Sequence, residues 1–589
     1  SETHAIKLSA KVPEGFNVTA NTVSMDKGNP EMVSGLNFVS YVFGATSKVV
    51  GYDFNGNFRA IFTNSGQSRI AALPNGHIAY EDNNVLHGLY YTTGFIETDM
   101  MGKVYQKYLV NGIHHEFIQL ENGNWLADAK LPNADTTEDY FAELDQASGK
   151  IVRDWWLKDS MGLKQFVANP YYDYNAEDWA HVNSFVQIPG QDAIIFSARQ
   201  NDGLYKLNLT TNEIEWIIAE DDEDYTEAFS AKRLTPVITQ SDGSVVTVDQ
   251  WWENNTVQNP SGAAIDWSNP KDPYFALENV PFEYTYGQHA VSLLPNGDIF
   301  VFDNGDGRSK DASKMITAAD ENAAREVLKT AAPGSEAYQK ALMTNYSRAV
   351  IYHYDEKAGT VEQLWQYGKE RGMELYSMYI CDVDYLGPNH YLINFGGPRV
   401  GADLASGAYS RIIELQNDRV INEFNVNTNC YRAQRLSPYY GVEGEYQLNK
   451  IQGVQKGELL MQRAQLSKLV LDMTIGQSGF TQNDVSNDMG SAPYRAENGQ
   501  IMVPGRGVAQ ALGAQVIWDA DAQKVTVKTA ERTAEFVIGA EEATLNGQSQ
   551  TLENAAVLVD GRAMLPLKNL AEALDAVVEE TNDKVTLTR

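Results

Sequence analysis

At 589 residues the chain has room for roughly three to five ordinary domains, or for one large repeat fold with a small companion. Asp plus Glu outnumber Lys plus Arg by 78 to 46, a formal net charge of −32, and so acidic a surface repels phosphate backbones and anionic lipid, which excludes nucleic-acid or membrane-surface binding as the main function. At 43% hydrophobic and 11% aromatic the chain is not disordered, it has no apolar run near the roughly 18 residues of a membrane span, and its two cysteines, Cys381 and Cys430, are too few for a disulfide scaffold or a cysteine-based zinc cluster.

Residues 1–20 lack a charged-then-apolar signal pattern, so the expectation is either a protein that is not exported or one whose signal was removed ahead of Ser1. A recurring phrase then begins. It is an alternating strand, a Leu-Pro-Asn-Gly-like turn and a second alternating strand: RIAALPNGHIAYED from Arg69, HEFIQLENGNWLADAK from His115 and HAVSLLPNGDIFVFDN from His289. Looser copies start at His181 and Tyr379. Asn-Gly between alternating apolar runs is a hairpin signal. A second strand-turn-strand phrase starts at Val49, Leu144, Leu204, Val350 and Ile412. Two hairpins make one four-stranded sheet, the blade of a β-propeller. Blade-starting hairpins near Ser68, His115, His181, His289 and Tyr379, with a last inner strand near Tyr431, give a mainly β fold, a six-bladed β-propeller over residues 1–481. A weaker hairpin from Thr235 reads as an excursion rather than a seventh blade.

Residues 311–343 lose the strand pattern and carry Ala, Leu and charged residues at helical spacing, a helical insertion that is either a lid or a solvated ornament. Beyond residue 481 the composition changes. Residues 482–589 hold two copies of a strand-helix-strand unit, with Pro504 and Pro566 at equivalent places 62 residues apart, a small α+β repeat module without His or Cys.

Three of the nine histidines recur at one place in the repeat. His115 and His289 each precede the turn glycine, Gly123 or Gly297, by eight residues, and His181 precedes Gly190 by nine. Even spacing along a strand preserves the face, and the first strand of each propeller blade lines the central channel, so the three imidazoles are expected to converge at one mouth. Ser68 and Tyr379 occupy the same repeat position. Asn183 shares the face of His181, and hairpin pairing about Gly190 and Gln191 sets Arg199 opposite position 182, at the level of His181. Three histidines, an arginine and an asparagine suit a small tetrahedral oxyanion. Any one of these histidines alone fits a structural role equally well, and three could bind zinc, although a fixed guanidinium would be repelled by the metal. The remaining histidines, His114 and His390 among them, read as turn or surface residues.

The segments DWAHVNS (178–184), FSARQ (196–200), YTYGQHAVSLL (284–294) followed by FDNGDGR (302–308), and NCYRA (429–433) resemble the bacterial arylsulfate sulfotransferases that use no nucleotide sulfate donor, over about residues 35–450. The resemblance implies an exported six-bladed propeller enzyme that needs no metal or other cofactor. Its substrates would be aryl sulfates and phenols, and His289 would be the transiently sulfated nucleophile of a ping-pong reaction. It further implies that His115, His181, Asn183 and Arg199 bind the sulfuryl group and that Tyr431 is an active-site tyrosine; one of His115 or His181 is then expected to exchange the proton with the phenolic oxygen. Tyr431, Tyr379 and the loop 170–179 are expected to wall the aryl ring. The 482–589 module resembles the stalk module named for the N-terminal domain of copper amine oxidases, found on secreted Gram-positive proteins. Monomer and homodimer both stay open. The competing expectations are an aryl sulfate hydrolase, a zinc hydrolase and a non-catalytic binding propeller.

Overall fold

The computed structural model describes residues 20–25, 35–41, 49–62, 69–81, 92–100, 102–130, 134–167, 177–255, 269–272, 280–397, 409–437, 470–482, 485–512, 514–520, 522–529 and 532–589. Ser68, His4, His87 and most of the 170–179 loop lie outside them.

The fold is mainly β and is divided into many small sheets. Six of them lie between residues 20 and 436, each built on four antiparallel strands. In order, the strands nearest the functional residues open these sheets: Ala71–Ala72, Phe117–Gln119, Val182–Gln187, His289–Leu293 and Asp382–Gly387. The remaining sheet spans both ends of the region, because Cys430–Leu436 pairs antiparallel with Leu36–Tyr41. Buried apolar clusters join neighbours in sequence. Phe141 and Leu126 meet Phe185 and Phe196, Ile195 and Trp216 meet Val301 and Val350, and Phe300 and Phe302 meet Ile393 and Ile413. Leu392 and Phe424 then pack on Val39 and Val50, Phe38 and Val49 on Ile78 and Ile96, and Phe95 and Tyr108 on Phe117 and Trp125. Each sheet is therefore covered on both faces, which explains strands that read as nearly continuous apolar runs.

The repeated turn is a three-residue hairpin loop rather than a two-residue one. Leu294 N donates to Asp298 O at 2.9 Å, Gly297 N donates to Leu294 O at 2.8 Å, and Gly297 takes φ +91°. Glycine at that left-handed position lets the turn close without a Cβ penalty. The hairpin from Thr235 is indeed no separate sheet: Thr235–Thr239 and Val245–Thr247 extend the outer edge of the sheet opened by His289–Leu293. The insertion forms two helices, Ala318–Thr330, opened by a Thr317 capping box, and Glu336–Leu342.

The C-terminal residues build their own core around Val503, Val508, Phe536, Leu565 and Leu570. The two repeat copies pair with each other there, Ile501–Pro504 against Arg562–Pro566. Val470–Thr474 pairs with the final strand Lys584–Thr588, and Leu471, Met473 and Phe480 enter the same core. Cys381 and Cys430 are free, buried thiols.

Candidate functional site

The three repeat-position histidines come together, but strand phase is not what places them. His181 sits immediately before its strand and His115 two residues before its own, and the pairing register slips between Val182 and Ser184 and between His289 and Ser292. His181, Ala290, Ile380 and Glu138 all hold left-handed φ values between 50° and 59°. Such strain persists only where surroundings over-determine it, and at the His181 and His289 strands a bulge and a strained residue occur together. The slip also moves Arg199 by one position: its N–H donates to the carbonyl of His181 at 3.1 Å, so it faces residue 181 rather than 182.

The His115 and His181 ring centres are 4.9 Å apart, and Tyr431 stands edge-on to both His115 and His289, at 5.5 and 6.0 Å. All four side chains are buried. Two carboxylates organise them. Glu138 Oε2 accepts from His115 Nε2 at 3.2 Å and lies 2.8 Å from His181 Nδ1, and Asp178 Oδ2 lies 2.6 Å from the same Nδ1. Burial opposes charge on His181, but the Asp178 and Glu138 carboxylates outweigh it and hold His181 well above the usual histidine range. His181 is a standing imidazolium. His115 goes the other way: burial dominates, and it falls to about 4. Because its Nε2–H is directed at Glu138, its Nδ1 accepts from the Tyr431 hydroxyl at 2.8 Å. Burial and then the Arg199 charge keep His289 well below its usual range, hence neutral.

Arg199 is buried and fixed by Asp306 Oδ2 at 2.5 Å and by the Met378 carbonyl at 3.0 Å. Asn183 is used differently from what the sequence suggested. Its Nδ2 donates to the carbonyl of Gln288 at 2.7 Å and its Oδ1 accepts from Ser184, tying the His181 strand to the residue beside His289. Tyr379 is partly buried, and its hydroxyl accepts from Asn429 at 2.9 Å. Just beyond the histidines, Arg432 pairs with Glu116 at 3.2 Å and Asp382 at 3.3 Å, a buried ionic floor.

Two of the residues expected at the surface are buried. His114 packs against Asp128, Nδ1 to Oδ2 3.4 Å, where the chain turns into the His115 strand, and His390 Nε2 meets Glu414 Oε1 at 2.7 Å. Glu138, Asp178, Asn304 and Asp306 were not singled out from sequence. Asp178, Asn304 and Asp306 lie inside the motifs DWAHVNS and FDNGDGR, so proximity to a motif was the available signal. Glu138 had none.

His114, His115 and Glu138, and likewise Glu138, Asp178 and His181, bring ligand atoms within 4.8 Å of one another, a spacing that a divalent cation can bridge. The 2.6 and 2.8 Å contacts of His181 Nδ1 are hydrogen-bond lengths, and a proton held there satisfies both carboxylates. A neutral imidazole flanked by a guanidinium and an imidazolium is equipped to attack an electrophile that carries anionic oxygens.

Residues 21–436 match the family model described as arylsulfotransferase, and residues 481–588 match the copper amine oxidase N-terminal domain. The chain is 28% identical over 392 residues to the arylsulfate sulfotransferase AssT of Escherichia coli O6:H1 strain CFT073, covering 58% of this chain and 56% of that protein. It is 31% identical over 220 residues to AssT of Lelliottia amnigena, covering 37% and 28%. The match thus spans about half the length of the first relative and less than a third of the second. Among solved structures, the periplasmic gluconolactonase PpgL of Pseudomonas aeruginosa aligns at 10% identity over 89% of this chain and 96% of that one, with a TM-score of 0.28.

Proposed function

The chain belongs to the arylsulfotransferase family, and on that premise we propose that it transfers a sulfuryl group from an aryl sulfate to a phenol through a sulfohistidine on His289. One observation carries the reading. A histidine kept neutral by burial feels the charges of a fixed guanidinium, Arg199, and a standing imidazolium, His181. The sulfuryl transition state is loose, with charge on the non-bridging oxygens and on the departing phenolate, as in phosphoryl transfer. Arg199 and His181 neutralise the oxygens, each such preorganised donor contributing on the order of 3 kcal/mol. Splitting the transfer at His289 removes the need for two aryl groups to meet in line.

The proton follows a different route. In the second half-reaction the acceptor phenol gives its proton to Tyr431, whose own proton passes to His115 Nδ1, and Glu138 balances the imidazolium that forms. The phenolate released in the first half-reaction takes its proton from water, and the proton that the second half-reaction leaves on His115 returns to water, which restores the neutral ring. This assigns the acid-base role to His115 and leaves His181 as a fixed charge. Asn183 positions the His181 and His289 strands.

The six sheets serve in this proposal as the blades of a six-bladed propeller whose inner strands present the site, and the C-terminal unit as a separate, stalk-like module of an exported protein. No helix among the described residues is long and apolar enough to cross a membrane. The test is transfer from 4-nitrophenyl sulfate to a phenol. His289→Ala should lose turnover by several orders of magnitude, and a variant working at the parent rate would refute the assignment.

A further inference from the structure

We propose that Asn304 is a positioning residue that fixes the tautomer of His289, making Nε2 the nitrogen that bonds to sulfur. The inference rests on His289 being the nucleophile. His289 Nδ1 lies 2.9 Å from the carbonyl oxygen of Gly287 and 2.8 Å from Oδ1 of Asn304. Neither oxygen can donate, so Nδ1 carries the hydrogen and shares it between them, and the lone pair resides on Nε2.

The assignment depends on which end of the Asn304 amide faces the ring, and its other partners decide that. Nδ2 donates to the carbonyls of Ser377 at 2.7 Å and Ile380 at 3.0 Å. A rotated amide would press Oδ1 against two carbonyl oxygens in a fully buried site and leave the Gly287 carbonyl facing an unprotonated nitrogen. The surroundings hold this frame rigid. The Asn304 carbonyl accepts from Ser347 Oγ at 2.7 Å, and the same Oγ accepts from Ser377 N at 2.8 Å. Gly287 N donates to Asp202 Oδ1 at 2.7 Å, and at φ +61° a Cβ on residue 287 would lie 2.7 Å from Asp306 Oδ2, so glycine is required for its carbonyl to reach the ring.

The chemistry balances around that hydrogen. In the first half-reaction the Nε2 lone pair forms the N–S bond while the S–O bond to the aryl group breaks and the phenolate departs with the electron pair. The ring then holds the sulfuryl group on Nε2 and the original hydrogen on Nδ1, so it is cationic and no proton has to leave it. The two oxygens at Nδ1 stabilise the charge as it develops. In the second half-reaction the acceptor oxygen attacks sulfur, the N–S pair returns to Nε2, and the neutral ring is restored. The choice of asparagine over aspartate follows: an uncharged acceptor directs the hydrogen without drawing a second proton onto the ring at rest.

The test is ¹⁵N NMR of the resting protein labelled at histidine, with His289→Asn identifying the His289 signals. The wild type should show a protonated Nδ1 and an unprotonated Nε2. Asn304→Ala should populate the other tautomer and lower kcat on the order of 100-fold with little change in KM. Asn304→Asp should keep Nδ1 protonated but move the acid limb of the kcat/KM profile to higher pH, because a carboxylate favours the imidazolium. A resting wild-type spectrum with hydrogen on Nε2 would overturn the inference, and so would an Asn304→Ala protein that folds and keeps both the wild-type tautomer and pH profile. The wild-type spectrum decides the matter even if neither variant folds. Transfer retained by His289→Asn would refute the nucleophile assignment instead, whatever tautomer the spectrum shows.

Discussion

Replacing Glu138 with glutamine removes one negative charge from the middle of the histidine cluster while keeping its shape. Oε2 of Glu138 serves both His181 Nδ1 at 2.8 Å and His115 Nε2 at 3.2 Å, and its side chain is fully buried, so no solvent screens the loss. Hydrogen bonds to an ionised group contribute about 1.5–3 kcal/mol and neutral ones roughly half that, so weakening the pair costs about 2–3 kcal/mol, or about 30- to 150-fold in rate if both bonds act in the transition state. The pH dependence carries the sharper signature. His181 works protonated, and after burial, which opposes its charge, Asp178 and then Glu138 raise its pKa. Activity is therefore lost as pH rises through that value. In Glu138→Gln only Asp178 remains at 2.6 Å, and the alkaline limb of kcat should move to lower pH. The assay is aryl sulfate-to-phenol transfer across the alkaline range, with the melting temperature as a control for folding. A variant within about twofold of the parent kcat, with an unmoved alkaline limb, would refute the claim that a carboxylate-held imidazolium neutralises the sulfuryl oxygens.

Three further outcomes are expected. Arg199→Ala should lower kcat about 100- to 1,000-fold and, because Arg199 is the charge that most depresses His289, shift the acid limb of kcat/KM to higher pH, read from the same assay. Tyr431→Phe breaks the 2.8 Å link to His115 and should cost about 100-fold or more with weakly acidic acceptor phenols and far less with nitrophenols, measured as the slope of rate against acceptor pKa. Leu570→Ala, at a fully buried site in the C-terminal core, should destabilise that unit by about 2–5 kcal/mol in calorimetry while leaving transfer unchanged, and an equal loss of transfer would contradict its independence.

The hairpins were legible because a glycine-closed turn is a local device: Leu294 to Asp298 contains every atom the turn needs. The convergence of His115, His181 and His289 was legible from their similar distance to that turn, although the bulges at the His181 and His289 strands were not. The error of one position at Arg199 has the same origin, an extra residue at Asn183 that strict pairing arithmetic cannot contain. Glu138 was invisible because nothing near it in sequence announces a left-handed residue whose carboxylate meets imidazoles from two different strands. His114 looked exposed because only the three-dimensional turn brings Asp128 over it. The pairing of Val470–Thr474 was not legible because its partner strand lies more than a hundred residues later, at Lys584–Thr588.

The central claim is covalent, so the most direct measurement is the mass of the protein after brief exposure to an aryl sulfate alone, followed by mapping of the modified peptide. The account predicts one added sulfuryl group on His289, discharged when a phenol is supplied. A protein that releases a stoichiometric burst of phenol yet carries the group on another residue, or turns over donor and acceptor without ever carrying it, would contradict the account.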